Sequence, residues 1–360
     1  MPDETAPPPP RRDAAGDIAC DVVLEQTLGH VTHGQNLRRL LAEVDGFTPR
    51  FVPVAYDNES WTRHIPGFGN WTVRAGVRAR TGLRGGPGRD AVFVHTQVPA
   101  VLLGRTGVPT VVSLDATPKQ YDELGEHYAH DIGPDWLERI KTDLNRRCFE
   151  RAAHLVTWAH WTKQSLADQY GIDPSKVTVI PPGVDVERWI RPADAPVRGA
   201  DGIVRILFVG GDLGRKGGFD LISAFETVRE RHGERVELHL VTPAEVDAGP
   251  GVTVHRSMTP NSPELIELYH RCDVFCLPTL GDCLPMVLPE AGAAELALVS
   301  TDVGAIGEIV RNDETGLLVP VSDIEALTGA LERLVVDDDL RTRLAGAARE
   351  RVTAAHSAAT

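Results

Sequence analysis

Short apolar runs alternate with stretches of helical period along most of this chain. Residues 21–25, 50–54, 91–95, 109–114, 154–158 and 176–180 have the length and apolar density of buried strands. Between them, 35–44, 134–152 and 162–170 space their apolar residues as helices do. Pro181, Pro182 and Gly183 interrupt this series, and 191–202 is rich in Pro, Ala, Gly and charge. A second series follows, with strands expected at 204–209, 236–241, 252–255, 273–277, 296–300 and 317–319. Its helices are expected at 218–232, 263–269, 285–295 and 323–334. Strand-helix alternation of this kind builds parallel sheets covered on both faces. The fold class is therefore α/β, with two doubly wound Rossmann-like domains at 17–185 and 203–360, a linker at 186–202 and a disordered tail at 1–16. Two such domains facing each other across a cleft would place a site at their facing strand ends.

A length of 360 residues suits two domains, since one domain usually takes about 100–200. The formal net charge of -14 argues against nucleic acid, which needs a basic surface to displace counterions. Five scattered cysteines, without a Cys-x-x-Cys pair, read as reduced thiols rather than disulfides or a zinc site. No stretch approaches the ~18 apolar residues of a membrane span. The start of the chain, with Pro7 to Pro10, Arg11 and Arg12, lacks a signal-peptide core. A cytoplasmic protein is expected; peripheral membrane contact stays open and the oligomeric state unknown.

Candidate chemistry concentrates at 273–308. There a buried-strand pattern leads to Asp282, an apolar helix carrying Glu290, and a second strand ending in Asp302, Val303 and Gly304. The two acids are eight residues apart, one in a loop and one about two turns away inside a helix. Such loops at the carboxyl ends of strands receive anionic or polyhydroxylated ligands, and carboxylates there accept pairs of hydroxyls. A plainer role is helix capping for Asp282 and a solvated face for Glu290. Residues 206–218 form a strand entering a glycine-rich turn, Gly210 and Gly211, then Gly214, Arg215, Lys216, Gly217 and Gly218. Glycines admit phosphate oxygens to backbone amides, and the cations would neutralise a departing diphosphate. Lys216 is followed by glycine, so this is not a Walker loop.

Three more loops follow strands. Gly29, His30 and His33 follow the first; Asp115 follows 109–114; and Trp158, His160, Trp161 and Lys163 follow the fifth. Tyr121, Asp122, Glu126, His127 and Tyr128 form a polar, aromatic loop. His30 and His33 lack a visible third metal ligand, so acceptor contacts or loop packing are favoured. Asp337, Asp338 and Asp339 make a literal Asp-x-Asp, but their place just before Leu340 and Arg341 suits a helix cap better than a metal.

The Asp282–Glu290 segment resembles the acidic motif of the family 4 glycosyltransferases of GT-B fold, with Asp282 where the family usually has glutamate. Lys216 and Gly217 match the family's Lys-Gly clamp; Gly211 stands at its arginine position, and Arg215 would compensate. Ile180 to Asp185 match its hinge turn. The resemblance implies a retaining, nucleotide-sugar-dependent hexosyltransferase needing no metal or other cofactor. Donor contacts would come from Gly29, Gly211, Arg215, Lys216, Asp282, Leu284, Pro285, Met286 and Glu290. Catalysis would rest on Lys216, Asp282 and Asp115, the last standing where the family often has histidine. His30, His33, Tyr121 and His160 would serve a glycan, glycolipid or natural-product acceptor. A nucleotide-sugar 2-epimerase of the same fold and a non-catalytic nucleotide-sugar-binding or partner protein are the alternatives.

Overall fold

A computed structural model describes residues 17–26, 30–56, 70–86, 88–125, 133–195, 197–247 and 249–357. The expected tail at 1–16, Gly29, Glu126, His127 and Tyr128 lie outside the described residues.

The first half runs β1 (Ile18–Gln26), α1 (His30–Leu41), β2 (Phe47–Ala55), α2 (Trp71–Arg84), β3 (Ala91–His95), α3 (Gln97–Ala100), β4 (Thr110–Leu114), α4 (Pro118–Glu123), α5 (Asp135–Arg151), β5 (His154–Thr157), α6 (His160–Tyr170) and β6 (Val177–Val179). The second runs α7 (Val186–Trp189), β7 (Val204–Val209), α8 (Gly218–His232), β8 (Val236–Val241), β9 (Val252–His255), α9 (Pro263–Arg271), β10 (Val274–Leu277), α10 (Val287–Ala293), β11 (Ala297–Thr301), α11 (Ile306–Ile309), β12 (Gly316–Val319), α12 (Ile324–Val336) and α13 (Asp338–His356). Two six-stranded sheets result, ordered β2-β1-β3-β4-β5-β6 and β12-β11-β10-β7-β8-β9. The pairings of β1 with β2 and β3, and of β10 with β7 and β11, are parallel. In each sheet the order reverses beside the first strand of its series, the switch point where open α/β sheets bind ligands.

The described chain forms two compact units, one of residues up to 114 with 143–156, the other of 115–142 with residues from 157 on. In the second, β10 and β11 are buried along their whole length, as apolar strands covered on both faces must be. Phe208, Phe225, Tyr269 and Phe275 are fully buried around them, and burial of such a side chain contributes roughly 1.5–3 kcal/mol. The charged stretch after α7 is fastened to this unit by Arg198, which donates to the carbonyls of Tyr269 (3.2 Å), His270 (3.1 Å), Ala294 (2.8 Å) and Glu295. Burial lowers its guanidinium to about 10. After α13, Val184 donates its amide to the His356 carbonyl at 2.7 Å.

Departures from the expected elements have local causes. Helix α1 starts at His30, within the expected loop, and buries His33 and Gly34. No apolar period announces that turn, because a histidine and a glycine make its inward face. Helix α2, absent from the expected set, buries Arg74, Ala75, Gly76, Ala79 and Leu83. Its glycines permit close approach: a Cβ on Gly76 would lie 2.7 Å from Leu102 Cβ, and one on Gly82 2.4 Å from Val52 Cγ1. Small residues thus stand in for the apolar stripe. Tyr121 sits on helix α4 rather than in a loop, because Thr117 and Gln120 form a capping box with Pro118 at the first helical position.

Candidate active site

In the second unit, the turn after β7 carries Arg215 and Lys216 to the loop after β10. Lys216 Nζ pairs with Asp282 Oδ2, and an Arg215 guanidinium nitrogen stands 3.9 Å from Asp282 Oδ1. Arg215 also donates to the Gly281 carbonyl at 2.9 Å, and its own carbonyl accepts from the Leu280 amide at 2.9 Å. The turn and the acidic loop are therefore sewn together through backbone and side chains. Two glycines make the seam. Gly217 has φ +72°, and a Cβ there would fall 1.8 Å from the Pro278 carbonyl oxygen. Gly304 has φ +58°, and its Cβ would fall 2.1 Å from the Asp282 carbonyl oxygen. Both need glycine for conformation and for space.

Gly211 is exposed, with nothing near the Cβ position, so the turn is open where the resemblance expects an arginine. Arg215 lies beside Asp282, four positions on. Leu284, Pro285 and Met286 are buried ahead of the short helix α10. Pro285 has no amide hydrogen, so Leu284 and Met286 alone could offer donors there.

Glu290 is 6% exposed. It is a buried acid, not the solvated helix residue of the plainer reading. Burial raises its carboxyl to about 8. The Tyr269 hydroxyl lies near enough to offset part of that rise, although no hydrogen bond of ordinary geometry joins the two. Tyr269 is itself driven well above its usual range, by burial first and by Glu290 second.

Asp115 belongs to the same unit. Tyr121 donates its hydroxyl to both carboxylate oxygens, at 3.1 and 3.0 Å, and the Ala116 amide binds Oδ1 at 2.9 Å. Ala116 and Leu124 cluster with Cys283, the neighbour of Asp282, with Tyr121 packed against them. The structure thus brings Asp115 and Tyr121 to the acidic loop, a proximity that separation along the chain concealed. His160 is exposed, and its amide with that of Trp161 binds the Glu308 carboxylate at 2.9 and 2.7 Å. The start of α6 therefore holds a protein carboxylate. Glu308 was marked by the sequence only as the end of the 273–308 segment.

In the first unit, His30 and His33 meet His95, their ring centroids 4.9 and 4.8 Å from its own. His95 ends β3, so a histidine at a strand's carboxyl end was the available signal. Burial, then His33 and His30, hold it well below its ordinary range. Nearby, Glu25 accepts from Thr96 Oγ1 and Trp71 Nε1, both at 2.5 Å. Among the described residues no group of three His, Cys, Asp or Glu is placed to hold a metal ion. Asp337 accepts from the Leu340 amide at 2.8 Å, so the Asp-x-Asp is in part a helix cap. All five cysteines are buried, and none is in a disulfide.

Residues 31–188 match the family described as Glycosyltransferase Family 4, and 204–337 match Glycosyl transferases group 1. The chain is 29% identical over 337 residues to a glycogen synthase of Mycobacterium tuberculosis (strain CDC 1551 / Oshkosh), covering 84% of this chain and 76% of that protein. Sucrose-phosphate synthase from Thermosynechococcus elongatus has the same fold, with a TM-score of 0.73 at 16% identity over 94% of this chain and 95% of that one. Anabaena HepE, solved with UDP and glucose, aligns with a TM-score of 0.68 at 14% identity over 95% of this chain and 96% of its own. With both halves matched and the paired sheets in place, this chain belongs to the family 4 glycosyltransferases of GT-B fold and is a glycosyltransferase.

Proposed function

We propose that the chain moves a sugar from a nucleotide-diphosphate donor to a hydroxyl acceptor with retention of anomeric configuration. The observation that carries this reading is the convergence of Lys216 and Arg215 on Asp282, in one unit with the buried Glu290. The relative solved with UDP and glucose supports a nucleotide donor. Lys216 and Arg215 receive the diphosphate, and its charge draws Lys216 away from Asp282. The freed carboxylate then accepts sugar hydroxyls. Glu290 takes the ribose hydroxyls in a site where water cannot compete for them. As the leaving-group bond breaks, the two cations stabilise the charge that builds on the diphosphate. Asp115, fixed by Tyr121, accepts from the transferred sugar, and the departing diphosphate takes the acceptor proton, so a separate protein base is unnecessary. His30 and His33 contact the acceptor. The reaction needs no metal and runs in the cytoplasm; no helix among the described residues is long and apolar enough to cross a membrane.

Thermal stabilisation by UDP, GDP, ADP and TDP and their sugars tests the reading. A nucleotide at 100 times its dissociation constant adds about 2.7 kcal/mol. One base should be preferred, and Glu290→Ala should abolish its shift. A shift that survives both Glu290→Ala and Lys216→Met would place the nucleotide elsewhere, and no shift with any nucleotide, with or without acceptor, would favour a binding protein of another kind.

A further inference from the structure

A cavity of about 590 Å³ lies in the first unit at the amino-terminal end of β4, the opposite end of the strand from Asp115. Its wall includes Gly104, Arg105, Thr106, Thr110, Cys148 and Arg151. No Asp or Glu contributes to the lining. Neither guanidinium has a carboxylate partner among the described residues; both arginines are exposed, and Arg151 donates to the Val101 carbonyl at 3.3 Å. Burial pushes the Cys148 thiol up to about 11, so it adds no negative charge near neutral pH. Two cations therefore share a cavity with no counter-charge in its wall, in a protein whose net charge is -14. The bias extends through the unit: its described residues hold twelve arginines, no lysine and eight Asp or Glu.

Volume and donors define the ligand. Small-molecule sites usually enclose about 300–1,000 Å³, and arginine forks suit the paired oxygens of a phosphate. Thr106 and Thr110, their hydroxyls 2.9 Å apart, give the wall a neutral polar edge suited to ligand hydroxyls. Gly104 and Gly107 have φ of +74° and +83°, turning the loop between them with no side chain to block an approaching anion.

We propose that this cavity is a regulatory site for a small phosphate monoester of hexose phosphate size, separate from the donor site. Its position supports an effector rather than a substrate. Strand β4 starts in the cavity wall and ends at Leu114, one residue before Asp115. Helix α3 starts two residues after His95 and ends in the same wall at Ala100. A five-residue strand spans about 17 Å, so the cavity lies a strand's length from Leu114, the residue that leads into Asp115.

Calorimetric titration of the full chain with inorganic phosphate and with glucose 6-phosphate tests this directly. Both should bind in the presence of excess UDP and in Lys216→Met, while glucose should not. Arg105→Gln should weaken binding at least tenfold and leave the circular dichroism spectrum unchanged, because Arg105 is an exposed loop residue. Arg151→Gln should weaken it similarly. Binding lost with UDP or in Lys216→Met would assign the phosphate to the donor site and overturn the proposal. Unchanged affinity in Arg105→Gln, or no binding of either probe at millimolar concentration, would also overturn it. Phosphate binding is read without turnover, so a failure of the donor reading leaves this result interpretable.

Discussion

Glu290 holds its proton across a range where free glutamate is ionised, since its carboxyl rises from 4.5 to about 8 on burial. Between those values the folded chain binds a proton that the unfolded chain lacks, so stability should fall as pH rises from about 4.5 to 8 and then level off. The full effect is roughly 5 kcal/mol at most. Glu290→Gln should remove that slope in denaturant titrations at several pH values; an unchanged slope would place its origin elsewhere. For Lys216→Met, transfer should drop about 100-fold or more in kcat, the usual loss when one preorganised charge stabiliser is removed. Single-turnover assays on saturating donor separate this from weaker binding. The acidic spacing and the cation pair were legible in the chain because each is a local word. The approach of Asp115 and Tyr121 to the acidic loop and the meeting of His95 with His30 and His33 were not, since folding alone brings together residues separated by several elements.

At the scale of elements, glycine placement decides whether the site assembles. Gly304→Ala would force a Cβ against the Asp282 carbonyl at positive φ, and should cost more than about 2 kcal/mol. Chemical denaturation should register the loss, and UDP affinity should fall with it. Glu308→Ala removes the carboxylate from the first turn of α6 and should destabilise the protein by ~1–2 kcal/mol; Glu308→Gln should recover part of the loss. The strands of the second series fall within a residue of their expected bounds, because buried parallel strands read as dense apolar runs. Helices packed through alanine, glycine and arginine aliphatic stems, α2 above all, carry no such stripe.

At the scale of the whole molecule, two units with separate cores need not melt together. Calorimetry should resolve two transitions, and UDP should raise only the one belonging to the unit that carries Lys216 and Glu290; a single transition displaced as a whole would show that the units unfold as one. The arginine-only character of the first unit has a practical counterpart in amine chemistry. The sequence holds five lysines, at 119, 141, 163, 176 and 216, and all fall in the second unit. Apart from the terminal amine, acylating dyes and amine crosslinkers should mark that unit alone, and protection of Lys216 by nucleotide would give peptide mass mapping an occupancy gauge already written into the native chain.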